Sequence, residues 1–187
     1  MTAQPTAARP ATASAGRILR RLLDALYLAA GMLAAVSLLA LLVVIVAVMA
    51  ARWLGLQFPG GTEYASYLLA SSSFLALALA LRRGAHIRVG LLLAALGSRR
   101  RWGELWCWAV GSALGCYFAW YSVAMVRWSY KLHDVSQGQD ATPLWIPQLS
   151  MAAGAVIFAI ALLDGLVSLI LTGSAGVQAG EESQREI

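Results

Sequence analysis

The sequence predicts an all-α integral membrane protein of four transmembrane helices, with both termini on the cytoplasmic side and a short interfacial helix between helices 2 and 3. Three observations predict it. Of 187 residues, 60% are hydrophobic and only 12% are charged, about half the charged content of a soluble domain. Long apolar runs recur four times, and a helix needs about 20 apolar residues to cross a hydrocarbon core of about 30 Å. The basic residues bracket those runs and line no single polar face. The net charge of +5 therefore reads as membrane topology, and no nucleic-acid partner is expected.

Residues 1–16 are rich in Ala, Thr and Pro without apolar periodicity, which predicts a disordered leader. The adjacent Arg20 and Arg21 look like an export signal, but the apolar run that follows them, residues 22–51, exceeds the 7 to 15 residues of a signal-peptide core. It is read as a retained first helix. Phe58, Pro59, Gly60 and Gly61 then form a turn, Thr62 is placed to cap, and residues 63–81 form the second helix, so the first two helices make a hairpin. Residues 89–96 are apolar but too short to span. Flanked by Arg82, Arg83, His86 and Arg88 on one side and Arg99, Arg100 and Arg101 on the other, they are expected to lie along the membrane interface.

The third helix, residues 102–128, carries Trp102, Trp106, Trp128 and Tyr130 at its ends, as an aromatic belt does. After a polar loop the fourth helix is expected over residues 143–171, with Pro143 in its first turn, where a missing N–H costs little. Pro147 implies a kink or an irregular start. Residues 17–171 thus make a four-helix membrane domain, and residues 172–187 a polar cytoplasmic tail. Orientation follows from the basic residues. Arg9, Arg17, Arg20, Arg21, Arg82, Arg83, Arg88, Arg99, Arg100 and Arg101 gather on one side, against Arg52, Arg127 and Lys131 on the other, which predicts N-in, C-in.

Reactive groups are sparse, and no catalytic, cofactor or metal residues are expected. A redox anchor subunit with bis-His haem needs two imidazoles at one depth, whereas His86 and His133 fall on opposite sides of the bilayer in this topology. Cys107 and Cys116 are nine positions apart in one helix and point to opposite faces, so they read as small apolar residues in a packed helix. Asp24, Glu63, Glu104, Arg127 and Asp164 all fall near helix ends. Asp24 and Asp164 share a level with Arg20 and Arg21, where they either form an ion pair or are simply solvated.

Packing surfaces are easier to see. Cys107, Gly111, Gly115 and Ala119 recur every four residues, a small-residue stripe that admits the close approach of a helix from this chain or from another. Ser66, Ala70, Ser73 and Ala80 suit protein contact on the second helix in the same way.

The segments Gly61-Thr62-Glu63-Tyr64, Ser66-Tyr67-Leu68, Phe74-Leu75-Ala76 and Arg82-Arg83-Gly84-Ala85-His86-Ile87-Arg88-Val89 resemble the signature of small permease subunits of TRAP transporters, the DctQ family. Arg52-Trp53, Gln139, Thr142-Pro143-Leu144 and Ile146-Pro147 fit the same pattern, and the resemblance covers residues 20–171. The chain departs from it at Gly90, where an Asp commonly stands, at Ala76 in place of a Gly, and at Gln148 in place of a larger apolar residue.

The resemblance implies a multi-pass protein of the bacterial inner membrane that is not an enzyme. Such a scaffold pairs with a large multi-helix membrane subunit carrying the substrate and sodium sites, and a periplasmic substrate-binding protein delivers an organic acid. Carried over, Arg52 and Glu63 would shape the outer end of the first hairpin. Arg83, His86 and Arg88 would meet lipid headgroups or the large subunit, and Gln139, Thr142 and Pro143 the binding protein or their own loop. Two other readings remain open, a free-standing membrane scaffold or assembly factor and the membrane anchor of a redox complex.

Overall fold

A computed structural model describes residues 11–83, 100–138 and 140–172. They form four helices, α1 (Ala11–Trp53), α2 (Gly61–Arg82), α3 (Arg100–Leu132) and α4 (Trp145–Thr172), each long and apolar enough to cross a membrane. The expected interfacial helix over residues 89–96 lies outside the described residues, as does the tail beyond residue 172.

Helix ends differ from expectation for local reasons. α1 begins at Ala11, inside the stretch expected to be a disordered leader; Ala, the strongest helix former, holds three of those six positions. Its other end closes on Gly55 in the left-handed conformation (φ 69°), with the Leu56 N–H donating to Ala51 O (2.8 Å) and the Gly55 N–H to Arg52 O (3.2 Å). This is a Schellman stop. Thr62 does not cap α2. Gly60, also left-handed (φ 74°), takes that place with its carbonyl, which accepts from Glu63 N and Tyr64 N at 3.0 Å each.

At the head of α4 the two prolines exchange the expected roles. Pro143 stands before the helix, bridged to Val135 across the loop, and Pro147 occupies the first turn. There its missing N–H would have had no helical partner. The loop ahead of it is a small ladder, in which Ser136 N donates to Thr142 O (2.8 Å) and Leu144 N to Asp134 O (3.0 Å).

The helices contact one another in the lateral order α1, α2, α4, α3, with a slight touch between α1 and α4. α4 is central and the most buried, while α1 exposes nearly all of its length. Small residues make the close approaches possible. Ala30, Ala34, Ala78, Ala152, Ala155, Ala159 and Ala161 are all buried. At Gly154 a Cβ would stand 2.6 Å from the Phe74 backbone carbonyl carbon, and at Gly165 one would stand 2.2 Å from the Trp108 ring. Between α2 and α4 the Ser71 and Ser150 hydroxyls share a hydrogen bond of 2.5 Å.

Candidate functional site

The densest set of interacting ionisable groups described lies at the end of the bundle where α2 terminates. Arg82, in the last turn of α2, donates from Nη1 to Asp164 Oδ2 of α4 (3.0 Å) and from Nη2 to Asp24 Oδ1 of α1. Its guanidinium carbon also stands 5.4 Å from the centre of the Tyr27 ring, one turn along α1 from Asp24. Arg82 and Asp164 are nearly enclosed, with side chains 17% and 20% exposed, whereas Asp24 is 52% exposed. A guanidinium suits this position because its planar fork serves two carboxylates at once.

Arg20 and Arg21, the candidate partners of these aspartates if they were not simply solvated, are both exposed. They neighbour Asp24 in sequence, but the end of α2 falls between the two carboxylates and supplies the cation. Below the triad lies an apolar cluster of Tyr27, Ala78, Leu81, Ala161 and Leu162. The arrangement fastens α1, α2 and α4 at one depth, and both carboxylates are already engaged.

At the opposite end Glu63, half-buried in the first turn of α2, meets the α3–α4 loop. Ser136 Oγ donates to Glu63 Oε2 (3.3 Å) and accepts from Tyr67 OH (3.0 Å) and from the Gly138 N–H (3.3 Å). A Cβ at Gly138 would lie within 2.0 Å of the Glu63 carboxylate, so a larger residue there would turn the flexible end of Glu63 away from Ser136. Negative charge at a helix N-terminus is itself favourable by about 0.3 to 1 kcal/mol. Nearby, Thr142 Oγ1 donates to Asp140 Oδ2 (3.2 Å).

The remaining singled-out residues are dispersed. Arg52 is exposed in the last turn of α1, Arg83 is exposed just beyond α2, and Pro143 is exposed in the loop ladder. His86, Arg88 and Gln139 lie outside the described residues. Of the stripe on α3, Gly115 and Ala119 are buried and Gly111 is half-buried. Gly115 receives Leu162 of α4, whose Cδ1 would stand 2.6 Å from an added Cβ, and Gly111 is in ordinary contact distance of the same leucine at 3.8 Å. Cys107 is exposed, as is Cys116, so both cysteines face outward and neither packs inside the bundle. Ser66 and Ser73 of the α2 stripe are likewise exposed, while Ser72, Leu75, Ala78 and Leu81 form the buried face of that helix.

Two residues of these sites escape sequence reasoning. Arg82 reads as one more topology-setting arginine. Its signal is depth, because antiparallel spans bring the end of α2 level with Asp24 and Asp164. Ser136 lies in a loop whose course no periodicity foretells.

Compared with known proteins, residues 40–172 match the family model described as Tripartite ATP-independent periplasmic transporters, DctQ component. No curated protein and no solved structure matches.

Proposed function

Because the chain belongs to the DctQ family, and is thus the small component of a tripartite TRAP transporter and a multi-pass inner-membrane protein, we propose that it acts as the scaffold and anchor for a large multi-helix membrane subunit. In this reading the large subunit carries the substrate and sodium sites. A periplasmic substrate-binding protein delivers the cargo, an organic acid. The chain lies N-in, C-in, so that the Arg82 triad faces the cytoplasm and the Glu63 loop the periplasm.

One observation carries this reading. The charged side chains within the four spans all stand within seven positions of a span end, and three of them, Asp24, Arg82 and Asp164, engage one another at one end. A transport pathway of the chain's own calls for ionisable groups or broken helices near mid-depth. Arg52, Glu63, Gln139 and Pro143 then offer contacts on the outer side, and Arg83, His86 and Arg88 contacts to headgroups or the large subunit on the inner side. Gly111, Gly115 and Ala119 serve packing within the chain, a reading supported by Leu162 of α4 against the two glycines and by the burial of Ala119.

The test is isolation of the tagged chain in mild detergent from its native host. Co-purification of a large, many-helix membrane protein in fixed ratio is expected. Isolation of the chain alone would favour the free-standing scaffold, and a coloured preparation with a haem or flavin spectrum would favour the redox anchor.

A further inference from the structure

α1 and α3 form the two flanks of the bundle, and their outward faces differ in chemistry. The α1 face is aliphatic, with Leu28, Met32, Leu39, Val43 and Val46 all at least half exposed. Ser37 of α1 lies about half a turn round the helix from this face and donates to Leu33 O at 2.9 Å. Hydrocarbon is an adequate neighbour for such a surface.

The α3 face carries Tyr117, Trp120 and Tyr121, which are 63%, 74% and 57% exposed. The two tyrosine rings lean together with centroids 4.6 Å apart. None of the three side chains has a hydrogen bond among the described residues. They stand at mid-span. Tyr117 is 16 positions from Arg101 and 15 from Leu132, the bounds of the span, or about 24 Å and 23 Å at the rise of a helix. The hydrocarbon core reaches only about 15 Å either side of its centre.

A hydroxyl at that depth meets neither water nor headgroup, and leaving it unpaired against lipid is costly. Exposed or half-buried serines such as Ser66, Ser71 and Ser73, and Ser122, escape this by bonding a carbonyl four residues back, while Ser112 Oγ, without a partner among the described residues, is at least enclosed by protein. Tyrosine and tryptophan hold their donors too far from their own backbone for that solution. No partner for them stands among the described residues of this chain.

Resting on the subunit reading above, we infer that the α3 face bearing Tyr117, Trp120 and Tyr121 docks against a transmembrane helix of the large subunit that presents hydrogen-bond acceptors at mid-depth. An open apolar cleft of about 360 Å³ adjoins this face at Leu114, which precedes Tyr117 by three residues and is 63% exposed, and runs over Gly111 and Gly115 to Leu162. It gives the incoming helix a place for one bulky side chain. The aliphatic α1 face is left to lipid.

The experiment places a photo-crosslinking benzoylphenylalanine at Tyr117, Tyr121 or, on the α1 face, Leu39, in the intact complex. Covalent adducts with the large subunit are expected from positions 117 and 121 and not from 39. A complex that co-purifies but gives the large-subunit adduct only from position 39, or from 117 and 121 only lipid or a second copy of this chain, overturns the docking face and leaves the subunit reading standing. Absence of any large partner overturns both. As a second readout, joint Tyr117→Phe and Tyr121→Phe keeps the rings and removes both hydroxyls. At typical intramembrane hydrogen-bond strengths this weakens the complex about fivefold to tenfold on dilution in detergent, and an unchanged affinity contradicts the inference.

Discussion

Replacing Arg82 with Ala leaves the nearly enclosed Asp164 without its cation, and removing one partner of a buried pair costs about 3 to 5 kcal/mol. Asp24→Asn removes a carboxylate that water already reaches, a loss of about 1 kcal/mol or less. Thermal unfolding in mild detergent, followed through the tryptophans, should rank Arg82→Ala far below Asp24→Asn. Equal losses would mean that Arg82 is not the shared fastening. Arg82→Lys should also fall short of the parent, because an ammonium lacks the fork that serves two carboxylates. The sequence marks Asp24 and Asp164 as partners at one depth. It offers them Arg20 and Arg21 or plain solvation, because adjacency points to those arginines and only the antiparallel packing brings Arg82 between the carboxylates.

Helix contacts divide by what a new methyl group would strike. At Gly154 it meets the Phe74 backbone, which cannot turn aside, so Gly154→Ala must push α2 and α4 apart at a cost of about 1 to 3 kcal/mol. At Gly115 it meets the far end of the Leu162 side chain, which can take another rotamer, and at Gly111 it makes an ordinary contact. Melting temperatures are expected in the order Gly111→Ala, Gly115→Ala, Gly154→Ala from least to most damaged. The reverse order would contradict this account of the packing. The stripe on α3 is legible because its period of four is written in the residue types. Gly154 is harder to single out, as it lies in a helix where Ala and Gly are common and nothing distinguishes the one that faces a backbone. Helix existence is plain for the same reason that ends are not: four apolar runs outlast any local ambiguity, whereas Gly60, Gly55 and Pro147 set the ends through backbone conformations that composition does not display.

Taken whole, the molecule is two hairpins joined side by side through α2 and α4, with α1 and α3 as flanks. The hairpins follow from the sequence through their short connections, but the lateral order does not, because it depends on which alanine faces meet. Topology is testable directly. With Cys107 and Cys116 replaced, a single cysteine at Leu56 or Gln137 should react with a membrane-impermeant maleimide in intact spheroplasts, and one at Arg83 only after lysis. The opposite pattern would invert the orientation.

The supporting role itself is tested by sodium-dependent uptake of a panel of organic acids into proteoliposomes, comparing this chain alone, the large subunit with the binding protein, and all three together. Uptake is expected only from the three together. Uptake by this chain alone would contradict the account.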